Sequence, residues 1–310
     1  MKNKFRMILL YVNILLLLIS ISYIVYDRYT IFKEERSITE IQKQRDEEKV
    51  QPTPENLEKE EQEESQLPEI VREDTESSDT VKEDKMSIET VEEEDIPTEA
   101  IEDEIIPTEI PEEKAILSEF KELFELNNDF YGWISIEGTD VNYPVMYTPD
   151  LEDRNFYIKR NWQKEESRLG SIYIDGRCAE DSNNFIIYGH NYRDSDSMFG
   201  HLVYYKNMDY FEKHKYIEFD TLYEEAVYEI ISVSKAVVYY DQDVPQTEYL
   251  FYEHPELYSK EEFDDYIYYM KENSYFEIDN TAEYGDKLIT LCTCDYWTEN
   301  ARLLIVAKKI

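Results

Sequence analysis

An uncharged run of twenty residues near the N-terminus constrains this chain more than any other feature. Residues 7–26 carry Asn13, Ser20 and Ser22 as their only clearly polar side chains. As a helix they would reach about 30 Å, the thickness of the hydrocarbon core of a bilayer. A segment that is apolar on every face does not suit a helix at the surface of a soluble domain. We therefore predict a membrane-spanning helix.

The residues that flank this run favour an anchor that is not cleaved. Lys2, Lys4 and Arg6 precede it, and no small-residue cleavage site follows it. Basic residues such as Arg28 also follow the run, so charge alone does not fix its orientation. Long following domains are translocated largely regardless of flanking charge. We expect residues 1–30 to form a short cytoplasmic N-terminus and a signal anchor, in a single-pass protein of the cell membrane whose remaining part is extracellular.

A strongly acidic segment follows the apolar run. Residues 31–114 contain 31 Asp and Glu against 10 Lys and Arg, a net charge of −21, in a chain whose formal net charge is −39. Such a segment cannot bury enough apolar surface to offset its ordering entropy, and self-repulsion keeps it expanded. We predict an acidic low-complexity linker or stalk, although residues 31–60 could instead form a charged helix. The acidity of the chain also argues against nucleic acid as a partner.

Residues 115–310 have the pattern of a folded domain. Ile116, Phe120 and Leu123 recur at helical spacing and predict a short amphipathic helix at its start. Short strand-like runs separated by turn residues follow, at residues 132–138, 141–147, 170–175, 184–190, 216–220, 228–233, 236–240, 287–294 and 302–308. Short strands with few helices predict a mainly β domain with peripheral helices, built as a barrel or a sandwich.

Two further helices are predicted between these strands. Residues 197–214 carry apolar side chains in a helical rhythm. Residues 259–273 begin with Ser259 and Glu262, the spacing of a capping box, and then place an apolar face toward one side.

The C-terminal hairpin has the pattern of a catalytic site. Side chains alternate across a strand, so Cys292 and Cys294 share one face, and Arg302 lies on the next strand. If the two strands pair with residue 294 opposite residue 302, a guanidinium comes within reach of a thiol at the open end of the pair. A metal site would need more Cys or His ligands, a redox pair is more often Cys-x-x-Cys, and buried cysteines are often small hydrophobes.

A thiol nucleophile also needs a partner that exchanges protons, and the chain has four histidines. His190 ends an apolar strand and precedes a polar loop, which is where a barrel presents side chains to a cleft. For His201, His214 and His254 we expect exposed or core positions without a catalytic role.

These residues resemble the pattern of the sortase family. Thr290-Leu-Cys-Thr-Cys is similar to the signature TLxTC, whose last residue is the nucleophile. His190, in Ile-Tyr-Gly-His-Asn, and Arg302, in Ala-Arg-Leu-Leu-Ile-Val, resemble the histidine and the arginine of the family. The resemblance covers residues 115–310 and implies a closed β-barrel of about eight strands with an N-terminal helix. The helix at residues 259–273, inserted before the catalytic strand, resembles class B.

The resemblance implies a cell-surface cysteine transpeptidase of a Gram-positive type of cell envelope. Such an enzyme cleaves a C-terminal sorting motif of secreted proteins through an acyl-enzyme and transfers them to an amine of a peptidoglycan precursor, without a cofactor or a metal. Cys294 would be the nucleophile, His190 the acid and base, and Arg302 the group that holds the substrate backbone or the oxyanion.

Three more residues are expected in the substrate groove by position. They are Asn155, Thr293 and Asp295, although Asn155 could be a turn residue and Asp295 could simply open the hairpin loop. Two other functions stay open at this point: an inactive sortase-like surface scaffold, and a cysteine hydrolase of the same fold that releases its substrate to water.

Overall fold

A long helix forms the N-terminal part of the computed structural model, which describes residues 2–50, 114–193, 195–240, 244 and 249–310. This helix, α1, spans Lys2–Val50. Its most apolar window has a mean hydropathy of 2.6 and is not buried against other parts of the protein. Within the described residues, α1 is the one helix long and apolar enough to cross a membrane. It is therefore compatible with the predicted anchor.

The second half of α1 differs from the linker predicted for residues 31–114. Residues 31–50 continue the helix, as in the charged-helix alternative. Ile38 and Ile41 are buried against the folded domain. Packing therefore adds to the helix preference of Glu, Lys, Gln and Arg. Residues 51–113 lie outside the described residues, and for them the linker stays a prediction.

Eight strands of the described chain close into a barrel, which confirms the mainly β fold with peripheral helices. The strands are β1 (Phe130–Ser135), β2 (Asn142–Met146), β3 (Ile172–Ile174), β4 (Asn184–Tyr188), β5 (Tyr216–Thr221), β6 (Val227–Val237), β7 (Leu288–Cys294) and β8 (Ala301–Lys309). Around the barrel they follow the order β1-β2-β3-β4-β7-β8-β6-β5. The β2–β3 and β4–β7 pairs are parallel, and the other strand pairs are antiparallel.

Alternate residues of the strands fill the interior of the barrel. Ile134, Leu291 and Ile305 are fully buried in this core. Where β1 pairs with β5, a Cβ atom at Gly132 would lie 2.1 Å from the carbonyl oxygen of Asp220. Glycine is therefore required at that position for the two strands to pair.

Residues 227–237 form one strand where the sequence predicts two, at 228–233 and 236–240. β6 pairs with β8 along its length, with a register shift between Ile230 and Ser232. The gap between the two predicted strands falls at Ser234 and Lys235, which pair with Leu304 and Leu303 of β8. The buried Ser234 hydroxyl donates to the carbonyl oxygen of Met270. The two-strand prediction is wrong because this hydrogen bond and the pairing with β8 let the strand continue.

The continuous helix predicted for residues 197–214 is also wrong. A 3-10 helix spans Gly200–Lys206, and the short helix α3 follows at Met208–Phe211. Between them Asn207 has an extended backbone, and its side chain accepts hydrogen bonds from two backbone N–H groups of α3. An N-cap of this kind starts a new helix, so it also ends the preceding one.

The other two helices of the domain agree with the sequence. A 3-10 turn at Ser118–Phe120 leads into α2 (Lys121–Leu126). Helix α4 spans Lys260–Glu272 and begins with the predicted capping box of Ser259 and Glu262. α4 packs on the outside of the barrel against β6, where it covers a second hydrophobic core that also includes residues of β7 and β8.

Candidate active site

The end of β7 places a thiol beside a guanidinium. Cys294 is the last residue of β7, and its Cα partner on β8 is Arg302. This is the register expected from the sequence, and it is confirmed. Directly opposed residues of an antiparallel pair point to the same side of the sheet. The two side chains therefore emerge on one face of the barrel wall.

That face is the outer one. Cys292, two residues before Cys294, packs with Leu304 in the core beneath α4, whereas Leu291 points into the barrel. Because side chains alternate along a strand, Cys294 shares the outer face with Cys292. Cys294 lies beyond the cover of this core and is half-buried.

A groove of about 700 Å³ opens at this point of the outer wall. Its walls come from the ends of β4, β7 and β8, from the 3-10 helix at Phe156–Lys159 and from the segment that follows β6. Three of its lining residues are those that resemble the sortase site: Cys294, His190 and Arg302. The fold thus brings His190 to the same groove as Cys294 and Arg302, which lie more than a hundred positions later in the chain.

The three thiols of the chain differ sharply in exposure. Cys178 and Cys292 are 2% and 1% exposed, and burial raises the pKa of both thiols to about 12. Both stay protonated at neutral pH and are poor nucleophiles. Cys294 is the partly exposed thiol among them, at the groove.

His190 follows β4 and lies half-buried in the wall of the groove. Its Nε2 is 2.6 Å from the carbonyl oxygen of Ile158. Burial, assisted by the charge of Lys159, lowers the pKa of His190, while the hydrogen bond to Ile158 opposes the shift. A carbonyl oxygen only accepts, so Nε2 carries the hydrogen and Nδ1 is the nitrogen left to exchange a proton.

Hydrogen bonds connect the His190 loop to the end of β7. The N–H of Gly189 donates to the carbonyl oxygen of Cys292 at 3.1 Å. The Thr293 hydroxyl donates to the carbonyl oxygen of Gly189 at 2.7 Å. On the far side of His190, Asn191 Nδ2 donates to the carbonyl oxygen of Cys294 at 2.8 Å. The backbones on either side of the imidazole and the thiol are therefore held in a fixed relation.

Arg302 is oriented by two oxygens at the mouth of the groove. Nη1 donates to the carbonyl oxygen of Ala301 at 2.9 Å, and Nη2 donates to the hydroxyl of Tyr240. Burial acts to lower the pKa of Arg302, but Cys292, Cys294 and Tyr240 together hold it above its ordinary value. The site therefore contains a permanent positive charge beside the thiol.

The three residues expected in the substrate groove occupy different positions. Asn155 is exposed, lines the groove and accepts a hydrogen bond from the Tyr173 hydroxyl at 3.0 Å. Thr293 also borders the groove, but its hydroxyl is engaged by Gly189. Asp295 is buried outside the groove lining, where its carboxylate accepts from Lys206 Nζ at 2.5 Å.

Sequence reasoning missed a polar part of the groove wall, formed by Asp175, Arg177 and Tyr188. Asp175 and Arg177 form an ion pair at 2.7 Å there. Burial acts to raise the pKa of Asp175, but the hydrogen bonds and the charge of Arg177 outweigh it and hold this pKa below its ordinary value. Tyr188 donates to the same carboxylate at 3.3 Å, and its ring lies 5.5 Å from that of Tyr173. Tyr188 and His190 are two residues apart at the end of one strand, which is the signal that could have indicated their common side.

The other histidines do not line the groove. His201 lies 3.0 Å from Asp140, and His214 Nδ1 lies 2.8 Å from the carbonyl oxygen of Glu137. His254 stacks on the ring of Tyr249. That these three histidines have no catalytic role stays a prediction.

Comparisons with known proteins identify the family. Residues 134–310 match the family model of the Sortase domain. Sortase B of Listeria monocytogenes is 29% identical over 197 residues, covering 61% of this chain and 73% of that protein. Sortase B from B. anthracis, solved in complex with AAEK1, has 32% identity and a TM-score of 0.52, and the match covers 64% of this chain and 88% of that one. A Staphylococcus aureus sortase B–substrate complex has 29% identity and a TM-score of 0.54, covering 63% of this chain and 86% of that one.

The chain therefore belongs to the sortase family, and it is a sortase-type cysteine transpeptidase. Within the family its relatives are sortase B enzymes, so it is class B-like, as the inserted helix predicts.

Proposed function

We propose that this enzyme attaches secreted proteins to the cell wall, with Cys294 as its nucleophile. It would cleave a C-terminal sorting motif of a client protein and transfer the client to an amine of a peptidoglycan precursor. The observation that carries the proposal is that Cys294, His190 and Arg302 line one groove, although they come from three different strand ends. The apolar half of α1 supports a membrane anchor, and the proposal places the catalytic domain on the extracellular side of this single span.

The reaction would proceed in two steps. The Cys294 thiolate attacks the carbonyl carbon of the scissile peptide bond and forms a tetrahedral intermediate. When that intermediate collapses, the carbon–nitrogen bond breaks, and the His190 imidazolium protonates the leaving amine. The incoming amine then attacks the thioester and gives a proton to His190, while Cys294 leaves as a thiolate.

Arg302 would stabilise the negative charge that develops on the carbonyl oxygen, or hold the substrate backbone beside it. Its support by Ala301 and Tyr240 fixes the guanidinium before the substrate arrives. Such preorganised donors commonly contribute about 10²–10³-fold to a rate of acyl transfer.

The remaining predicted groove residues would act in two ways. Asn155 is exposed in the groove wall, so its amide can contact a bound peptide. Thr293 and Asp295 would position the end of β7, since their polar groups are already bound to Gly189 and Lys206.

The test is a peptide assay with the full chain in detergent or in proteoliposomes. Sorting-signal peptides are supplied with and without a nucleophilic amine, and the products are separated by mass. An amide product that requires the amine supports transpeptidation, whereas cleavage to the free acid alone would favour a hydrolase.

Substitutions assign the roles. Cys294→Ala, His190→Ala and Arg302→Ala should each abolish or strongly reduce cleavage. Cys292→Ala is the matched control on the same strand face and should keep it. Full activity of the Arg302→Ala enzyme would refute the role assigned to that residue. If cells that carry Cys294→Ala behave like cells with the unsubstituted protein, the inactive scaffold would be favoured instead.

A further inference from the structure

The part of α1 beyond the apolar run is bound to the catalytic domain at both of its ends. At its start, Arg168 Nη1 lies 2.9 Å from Asp27 Oδ2. At its end, Lys49 Nζ lies 3.1 Å from Asp220 Oδ2 and 2.8 Å from Glu225 Oε1. At 1.5 Å per residue this stretch of helix is about 33 Å long.

Apolar contacts fill the middle of this interface. Ile38 is 9% and Ile41 is 5% exposed, and they pack into two different hydrophobic cores of the domain. One turn after Ile41, the Arg45 guanidinium lies 4.6 Å from the centre of the Trp133 ring. An apolar centre with paired charges around it is the arrangement of a stable interface.

Residues 51–113 connect α1 to the barrel, and these two parts belong to one body. Residues 1–51 and 115–310 form one compact unit, which includes both α1 and the barrel. Because α1 and the barrel already contact each other, the chain that connects them, residues 51–113, is not needed to keep them together. The non-covalent contacts along α1 can do so instead.

We propose that α1, rather than residues 51–113, holds the catalytic domain at the membrane. The domain docks on residues 27–49 of the helix that leaves the bilayer and remains there when residues 51–113 are cut. This inference rests on the proposed membrane anchor, and it replaces the stalk function predicted from the composition of residues 31–114.

Docking on α1 also sets the position of the active site. The backbone N–H of Phe199 donates to the carbonyl oxygen of His190 at 2.9 Å, and two residues before Phe199 the Ser197 hydroxyl lies 3.1 Å from Glu35 Oε1. Glu35 follows Asp27 by about two turns, or about 12 Å of helix. The His190 side of the groove is thus held at a fixed, short distance from the end of the apolar run, whereas a flexible stalk would let it vary.

The experiment separates the two attachments by cutting one of them. A protease recognition sequence is inserted within residues 51–113 of the full chain, which is reconstituted into liposomes and cleaved to completion. The liposomes are then sedimented, and the catalytic fragment is measured in the pellet and in the supernatant. We expect the fragment to stay in the pellet.

Matched substitutions in α1 test whether the helix is responsible. Ile41→Glu would place a charge in a buried apolar site and weaken docking by about 100-fold or more, which should release the cut fragment. Lys49→Glu, facing Asp220 and Glu225, should also increase release. Lys43→Glu is the control, because Lys43 pairs with Glu47 of α1 itself at 3.4 Å and should leave retention unchanged.

Each remaining outcome has a definite meaning. Release of the fragment from the unsubstituted protein would overturn the inference. Retention that survives both Ile41→Glu and Lys49→Glu would also overturn it, because the fragment would then be held by lipid. Failure of the uncut protein to sediment would instead refute the proposed anchor. Peptide cleavage by each uncut variant shows that the barrel is folded.

Discussion

Alkylation should modify one of the three cysteines in the folded protein and all three after unfolding. Burial raises the pKa of Cys178 and Cys292 to about 12. At pH 8 a thiol with that pKa is ionised in about one molecule in 10⁴. Because the thiolate is the nucleophile, both should react with iodoacetamide about 10⁴-fold more slowly than an accessible thiolate, even without steric exclusion. Cys294, half-buried at the groove, should react first.

Intact-protein mass spectrometry over time, followed by peptide mapping, measures these rates. Peptide cleavage should be lost together with the first label. Cys294→Ala should remove the fast label, and Cys292→Ala should leave it unchanged. A label on Cys292 or Cys178 that appears as fast as the one on Cys294 would refute the argument from burial.

Other predictions concern the groove and its supports. Asn191→Ala should lower kcat about tenfold with little change in KM, because the Asn191 amide holds the carbonyl of Cys294 at 2.8 Å. A rise of about tenfold in KM with kcat unchanged would point to substrate binding instead. Burial and Lys159 lower the pKa of His190 from 6.5, so the acid limb of kcat/KM should lie below pH 6.5, since the doubly protonated enzyme dominates only below that pKa. Lys159→Gln should move the acid limb to higher pH, because it removes a positive charge that lowers the pKa of His190. An acid limb above pH 6.5 in the unsubstituted enzyme would contradict the lowered pKa. Ser259→Ala removes the cap of α4 and should cost about 1 kcal/mol, or about 2–4 °C in Tm, whereas Ser259→Thr should keep most of the stability.

The strand pattern and the reactive residues could be predicted because each depends on local sequence. Alternation along residues 288–294 places Cys292 and Cys294 on one face in any sheet. The short loop after β7 makes a hairpin with β8 the natural pairing, so the opposition of Cys294 and Arg302 could be proposed from the sequence. The capping box of α4 is similarly local.

Two features depended on a distant group that binds a polar side chain. Ser234 lies in the gap between the two strands predicted in this region, but the carbonyl of Met270, from α4, accepts its hydrogen bond. Asp295 was expected in the groove by its position after Cys294, with opening of the hairpin loop as the alternative. It lies outside the groove lining, where Lys206 binds its carboxylate. Both partners are far away in the chain and carry no local signal.

By itself, the sequence determined an apolar anchor, an acidic segment, a β-rich domain and a cysteine signature, because periodicity and composition act over neighbouring residues. Tertiary structure alone decided that His190 and Cys294 line one groove and that α1 continues beyond the apolar run to pack on the barrel. These contacts depend on how the barrel closes and which surfaces it leaves to be covered, and packing of that kind is a property of the whole fold.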